Sequence, residues 1–287
     1  MKRLLAAWML LVQLALCWTI GLAEDAFEKE TYYIHNDEMN RSIYAVQIKP
    51  KDLAEGEKVP LIIYVHGGNG TANSYIGLAK TLSEQKIAGL MFECCGGNNG
   101  KASAAKSDGA DLFPAHYSSR ISDLEAVLAF AKTLDFVDTN RVYLWGESYG
   151  GIVVEFCAVN HPNDVKGLLL VSTGLSDAVL GIQAQEETHH GILTKYVPDD
   201  PYQYILGYPG AVLFICGDAD ATGAYDNAAF NAVLYQQREQ TQTDFVTIPD
   251  GGHGYGTFTK EQKQTTVDCI LSWICLLYTS PSPRDTR

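Results

Sequence analysis

Six short apolar runs constrain this chain more than any other feature: Pro60 to Val65, Ile87 to Phe92, Val142 to Trp145, Gly167 to Val171, Ala211 to Cys216 and Phe245 to Ile248. A strand with one wet face alternates apolar and polar residues. These runs are apolar at consecutive positions and rich in Val, Ile, Leu and Phe, which suits strands covered on both faces of a parallel sheet. Segments of helical period lie between them. Ile121, Leu124, Val127, Leu128 and Ala131 recur at three- and four-residue steps, and Gly150 to Asn160, Asn227 to Arg238 and Lys260 to Ile274 behave similarly. Repeated strand, helix, strand order requires right-handed crossovers, so the expected fold is α/β: a mostly parallel, doubly wound sheet with helices on both faces. Tyr32 to His35 and Ser42 to Ile48, split by a polar cluster, read as an opening hairpin. From Thr173 to Tyr208 the rhythm breaks into mixed polarity with a Tyr/Pro-rich end. An insertion there, about 176–208, is expected to form a small cap over the carboxyl edge of the sheet, where ligands bind in such folds.

The 287 residues carry 21 Lys and Arg against 34 Asp and Glu, a net charge of -13. Such a surface repels phosphate backbones and anionic lipid headgroups, which excludes nucleic acid as a partner. The apolar fraction of 46% is ample for a large core and excludes a disordered chain or a small disulfide scaffold.

The ends read differently from the middle. Lys2 and Arg3 precede an apolar run from Leu4 to Leu16, and Gly21, Leu22 and Ala23 place small residues where a signal peptidase cuts, so 1–23 reads as a secretory signal. An uncleaved anchor is the alternative, though Gln13, Thr19 and Gly21 weaken a span. Cleavage leaves a secreted protein with no stable membrane association. At the other end, Cys275 to Asp285 resembles a sequencing adapter translated in frame, so 24–274 is expected to be the domain and 275–287 a non-native tail. The cysteines between these ends, Cys94, Cys95, Cys157, Cys216 and Cys269, are odd in number and sit in part within apolar runs, which suits buried thiols with at most one bridge. No pair has zinc-like spacing with histidine, and neither metal nor organic cofactor is expected.

Four motifs carry chemistry. Gly146-Glu147-Ser148-Tyr149-Gly150 follows a strand run and opens a helix. A nucleophile on such a turn needs small neighbours so that helix and strand can approach, and the context makes Ser148 the candidate nucleophile. His66-Gly67-Gly68-Asn69-Gly70 ends the run Pro60 to Val65, where a loop can present a backbone N–H to an oxyanion, with a second from Tyr149. The loop donor is Gly68 or Asn69, and His66 is expected to brace the loop. Gly217-Asp218-Ala219-Asp220 follows another strand run. Asp220, farther beyond the strand tip, is the expected acid, with Asp218 as the alternative. Gly251-Gly252-His253-Gly254 follows the last run and completes the order Ser148, Asp220, His253 expected for this triad on an α/β sheet. His35, His116, His161, His189 and His190 fit no such position.

With these motifs in place, the chain resembles the α/β-hydrolases. Phe92-Glu93-Cys94-Cys95-Gly96-Gly97, Lys106 to Gly109, Ser122-Asp123-Leu124, Val137-Asp138 and Asn140-Arg141-Val142 further resemble bacterial serine esterases of the cinnamoyl or feruloyl esterase-like branch. The resemblance implies Ser148 as nucleophile, Asp220 as acid, His253 as base, and Tyr149 with Gly68 as oxyanion donors. It also implies a small-molecule or carbohydrate-linked ester of a short or aromatic acid as substrate. The cap is shorter than the lid of such esterases. Tyr149, Tyr196, Tyr202 and Tyr204 are candidates to receive an aromatic acid. A neutral imidazole base predicts a rate that falls as pH drops through the histidine range, about 6 to 7. Two other readings share the fold: a peptidase, for which Glu186 and Glu187 near the cap are candidate readers of a peptide terminus, and a non-catalytic binding protein.

Overall fold

The computed structural model describes residues 26–68, 70–95, 117–176, 200–238 and 241–279. The expected signal segment, residues 177–199 of the expected cap, and the tail beyond Thr279 lie outside these described residues. One eight-stranded sheet organises the rest: β1 (Phe27–Asn36), β2 (Arg41–Pro50), β3 (Val59–Val65), β4 (Ala88–Phe92), β5 (Val137–Glu147), β6 (Gly167–Val171), β7 (Ala211–Gly217) and β8 (Thr243–Ile248). Their spatial order is β1-β2-β4-β3-β5-β6-β7-β8. The hairpin pairs antiparallel and β2 runs antiparallel to β4, while β4 through β8 are parallel. This is an α/β-hydrolase architecture.

Among the described residues, six α-helices join or follow the strands: α1 (Ile76–Ser83), α2 (Tyr117–Ala131), α3 (Tyr149–Asn160), α4 (Pro201–Ile205), α5 (Ala224–Gln236) and α6 (Lys260–Thr279). Alternation along β3 shows why its run is apolar throughout. Leu61, Ile63 and Val65 face a core layer shared with Ile121 and Leu124 of α2, Val153 and Phe156 of α3, and Ala228 of α5. Ile62 and Tyr64 face the opposite layer, beneath Leu78 and Leu82 of α1 and Val267 and Ile270 of α6. Each strand feeds both layers, so a polar residue on either face would be buried.

Several elements depart from the expected segments: β1 begins at Phe27 rather than Tyr32, and α1 is not among those segments. Helix α1 lacks a clear apolar period because it is short and carries Gly77 inside it. Strand β5 begins five residues before its apolar run; after the buried Val137, Asp138 to Arg141 are polar and not buried, and a register shift separates its pairing with Val59 from its pairing with Leu61. Helix α6 runs through Thr279 rather than stopping at Ile274, with Leu277 packed against the second core layer. In the expected cap, Asp200 caps α4, accepting from the Gln203 N–H at 3.0 Å with a proline in the first turn.

The hairpin is tied to α2 by buried polar contacts. Arg41 pairs with Asp123, whose other oxygen accepts from Asn36 Nδ2 at 3.0 Å, and the Cys95 N–H donates to Asp123 at 2.8 Å. Cys94, Cys95, Cys157 and Cys216 are buried free thiols, and burial pushes Cys94 up to about 12, so it is inert as a nucleophile.

Helix α3 buries a carboxylate. Glu155 accepts from the Tyr235 hydroxyl at 3.0 Å, while its second oxygen has no hydrogen-bond partner among the described residues. Burial raises its pKa from the ordinary 4.5 to about 8, against the pull of Tyr235 and Arg238. An acid raised in the folded state contributes stability that is present below its unfolded pKa and lost as pH rises through its folded one. The wild-type protein is therefore expected to lose stability between pH 5 and 8, at up to about 1.4 kcal/mol per pH unit from this group. Glu155→Gln should gain thermal stability relative to wild type progressively across that window. Thermal melts at pH 5, 6.5 and 8 check this; a stability difference that does not grow with pH overturns it.

Candidate active site

At the carboxyl end of the sheet, β5 turns sharply into α3. Ser148, at the bend, has φ 52° and ψ -121°, a strained backbone for a residue with a side chain. The strain is held by hydrogen bonds: the Ser148 N–H donates to Val171 O at 2.9 Å, and its carbonyl accepts from Thr173 Oγ1 at 2.7 Å and from the Gly151 N–H at 3.0 Å. The tight turn also needs a bare backbone before the serine. A Cβ on Gly146 would lie 2.6 Å from the Gly150 carbonyl and from Gly151 Cα.

The side chains named from the sequence meet here. Ser148 Oγ lies 2.9 Å from His253 Nε2, and His253 Nδ1 lies 2.7 Å from Asp220 Oδ2, although the serine and histidine are 105 residues apart in sequence. The three come from the ends of β5, β7 and β8, which are brought together by the parallel order of the sheet. Asp220 side-chain atoms are wholly buried and those of His253 are 34% exposed, so the imidazole faces the solvent side of the pair. Burial alone would raise the Asp220 carboxyl. Donation from the Thr222 hydroxyl at 2.6 Å, the Thr222 N–H at 2.9 Å and His253 outweighs it and holds the group below the ordinary carboxylate range. With Asp220 ionised, Nδ1 carries the proton and Nε2 is left as an acceptor for the serine hydroxyl. Asp218 is elsewhere: its Oδ1 accepts from the Asp250 N–H at 2.7 Å and shapes the loop.

The loop after β3 lies beside the serine, with Gly67 packed against Ser148. Gly68 is described there; Asn69 lies outside the described residues. Tyr149 begins α3, and the first backbone N–H groups of a helix point out of its N-terminus without intrahelical acceptors. Its ring stacks on Tyr117 with centroids 4.0 Å apart and planes 9° from parallel. The Arg120 guanidinium lies 4.6 Å from the Tyr149 ring, and Arg120 donates to His66 O at 3.3 Å and to Cys95 O at 3.1 Å. One buried guanidinium thus grips both the loop after β3 and the residue after the serine.

His66 braces that loop. Its Nε2 accepts from the Cys94 N–H at 3.1 Å, which leaves Nδ1 to donate to Gly67 O at 2.7 Å. Burial, with Arg120 nearby, pushes its pKa down to about 3, so it stays neutral and carries no proton in turnover. His35, on the edge strand β1, pairs with Asp37, and His161, at the C-terminal end of α3, pairs with Glu125 and Asp164. His116, His189, His190, Glu186, Glu187 and Tyr196 lie outside the described residues. Tyr202 and Tyr204 pack on the first core layer, Tyr204 also donating to Asn160 at 2.5 Å.

Several contributors escape a sequence reading. Thr222, Arg120 and Ser172 belong to no motif, and nothing in their local sequence marks them. Glu147 stands inside the serine motif at a position that tolerates many residues, so its presence there is silent until the loop that it touches is seen. Among the described residues no group of His, Cys, Asp or Glu gathers to hold a metal ion.

Comparisons with known proteins bear on the family and the fold. The profile of the prolyl oligopeptidase family matches residues 117–276. The Est1E protein of Butyrivibrio proteoclasticus, solved with ferulic acid bound, superposes with a TM-score of 0.68 over 87% of this chain and 100% of that one, at 21% identity. The quorum-quenching protein AidA of Acinetobacter baumannii is 30% identical over 102 residues, which are 35% of this chain and 31% of that protein. A proline iminopeptidase of Thermoplasma volcanium is 29% identical over 143 residues, 50% of this chain and 44% of that enzyme. The match thus spans less than half the length of either curated relative.

Proposed function

We propose, for a chain that belongs to the prolyl oligopeptidase family and is a serine hydrolase of the α/β-hydrolase type, that it cleaves carboxylic esters of short or aromatic acids through an acyl-enzyme on Ser148. The observation that carries this is the unbroken line from Ser148 Oγ through His253 to the buried Asp220 carboxylate. In the first half, His253 Nε2 takes the hydroxyl proton as Ser148 Oγ bonds to the ester carbonyl carbon. Asp220 stabilises the imidazolium so formed. The Tyr149 N–H and that of Gly68 or Asn69 receive the oxyanion, and the C–O bond to the alcohol breaks as His253 returns the proton to it. In the second half water replaces the alcohol, and the acid leaves with Ser148 restored. No metal or organic cofactor enters this scheme. Feruloyl-type acids are the preferred aromatic case, supported by the ferulic acid bound to the superposable Est1E. A signal over residues 1–23 and delivery outside the cytoplasm belong to the same proposal.

A peptidase is the second reading, favoured by the family's name and by the iminopeptidase relative. It uses the same three side chains and differs in the bond cleaved. Hydrolysis of a panel of p-nitrophenyl and methyl esters from acetyl to feruloyl, beside aminoacyl p-nitroanilides, separates the two. Ester turnover exceeding anilide turnover by about 100-fold or more, a gap of about 2.7 kcal/mol in barrier, is expected. Anilide turnover equal to or faster than that of every ester would transfer the assignment to the peptidase.

A further inference from the structure

The loop that carries His253 is fixed by two acceptors that lie outside the triad. The Gly254 N–H donates to Ser172 Oγ at 2.9 Å, and the Tyr255 N–H donates to Glu147 Oε2 at 2.9 Å. Gly254 has φ 81°, in the left-handed range, and a Cβ there would lie 2.7 Å from Glu147 Oε1, so the carboxylate sits directly under the residue next to His253. Glu147 is partly buried, stands immediately before the nucleophile, and is close enough to His253 for their charges to interact.

We propose that Glu147 is a positioning residue for His253: its carboxylate clamps the loop through Tyr255 and supplies a second negative charge that favours the imidazolium formed during acyl transfer. This rests on the reading of Ser148 and His253 as nucleophile and base. Asp220 already orients the imidazole from Nδ1, on the β7 side. Glu147 acts from the β5 side, through the backbone that carries the ring.

The groups that face this pair come from four elements. Tyr75, in the turn before α1, hydrogen-bonds Glu147, and Cys94 interacts with Tyr75. Asp220 and Thr222 face His253 from the loop after β7. Lys263 on α6 lies 5.4 Å from the Tyr255 ring. Burial raises the Glu147 carboxyl above its ordinary value, while the Tyr255 N–H, His253 and Tyr75 pull it back.

The test is the pH profile of p-nitrophenyl acetate hydrolysis for unlabelled wild type, Glu147→Gln and Glu147→Asp, a separate aliquot of each being labelled with a fluorophosphonate to show that Ser148 is reactive. Glutamine keeps an acceptor for Tyr255 and removes the charge. A base deprived of a neighbouring anion gives up its proton more readily. Hence the acid limb of Glu147→Gln is expected to move to lower pH by about half a unit or more, while the plateau kcat falls about 10-fold. Glu147→Asp keeps the charge on a shorter arm, so its limb is expected at the wild-type position with a lower kcat. If Glu147→Gln does not fold, the aspartate variant decides alone: a displaced limb overturns the proposal. A folded glutamine variant that takes the label in one aliquot and shows an unmoved limb in the other overturns it too, even with kcat reduced, because that is the result of a structural role only. Wild type that neither takes the label nor turns over ester fails earlier, at the reading of Ser148 on which the proposal rests.

Discussion

Ser148→Ala is expected to lower ester kcat by about 10⁴- to 10⁶-fold and to abolish fluorophosphonate labelling, with the protein otherwise folded as wild type. The size of the loss follows from the role. Without an oxygen at the bend there is no atom to accept the acyl group, and His253 Nε2 has no proton to take. What remains is water attacking a carbonyl held only by the backbone N–H groups. The fold should tolerate the change because the bend at Ser148 is held by its backbone. The Ser148 N–H donates to Val171, and its carbonyl accepts from Thr173 and Gly151; none of these uses the hydroxyl. Alanine inherits the same positive φ and no new strain. Steady-state kinetics, mass spectrometry of the labelled protein and thermal melts together check it. Residual activity within about 100-fold of wild type would remove Ser148 from the chemistry.

The second large effect distinguishes two aspartates that stand two positions apart. Asp220→Asn is expected to lower kcat by about 10³- to 10⁴-fold, whereas Asp218→Asn should leave it within about two-fold. The asparagine amide at 220 can offer N–H to His253 Nδ1, which forces the ring into the tautomer with its proton on Nε2. That tautomer points a donor at the Ser148 hydroxyl and cannot take its proton. The developing imidazolium also loses its buried counter-charge. At 218 the change is mild because the carboxylate's work is to accept the Asp250 N–H, and an amide oxygen does the same. Parallel kinetics of the two variants on one ester check this. Equal losses, or a larger loss at Asp218, would overturn the assignment of the acid.

Much of the sheet was legible before any coordinate, because burial on both faces writes itself into consecutive apolar residues. Gly167 to Val171 reads as a strand and is one, residue for residue. The same logic failed at the start of β5, where Asp138, Thr139 and Asn140 lie in the irregular stretch between the pairings of Val137 and Val142 and their side chains reach water. It also failed at α1, whose eight residues give an apolar stripe too few turns to declare itself. The choice between Asp218 and Asp220 was open in the sequence, since both follow the β7 glycine and both are acids. Distance to His253 Nδ1 separates them, and that depends on how the loop after β7 folds back on the loop after β8.

The sequence by itself determined the alternation of strand and helix, the position of the serine bend and the chain order of Ser148, Asp220 and His253. Each of these is local: a run of side chains, a spacing of glycines, an order along one polymer. Only the tertiary structure decided which atoms meet. The 2.9 Å between Ser148 Oγ and His253 Nε2, the grip of Arg120 on both His66 and Tyr149, and the Glu147 carboxylate under the histidine loop all join segments distant in sequence. Hydrogen bonds and charge interactions act over a few ångströms in space and are indifferent to separation along the chain, so no local pattern records them.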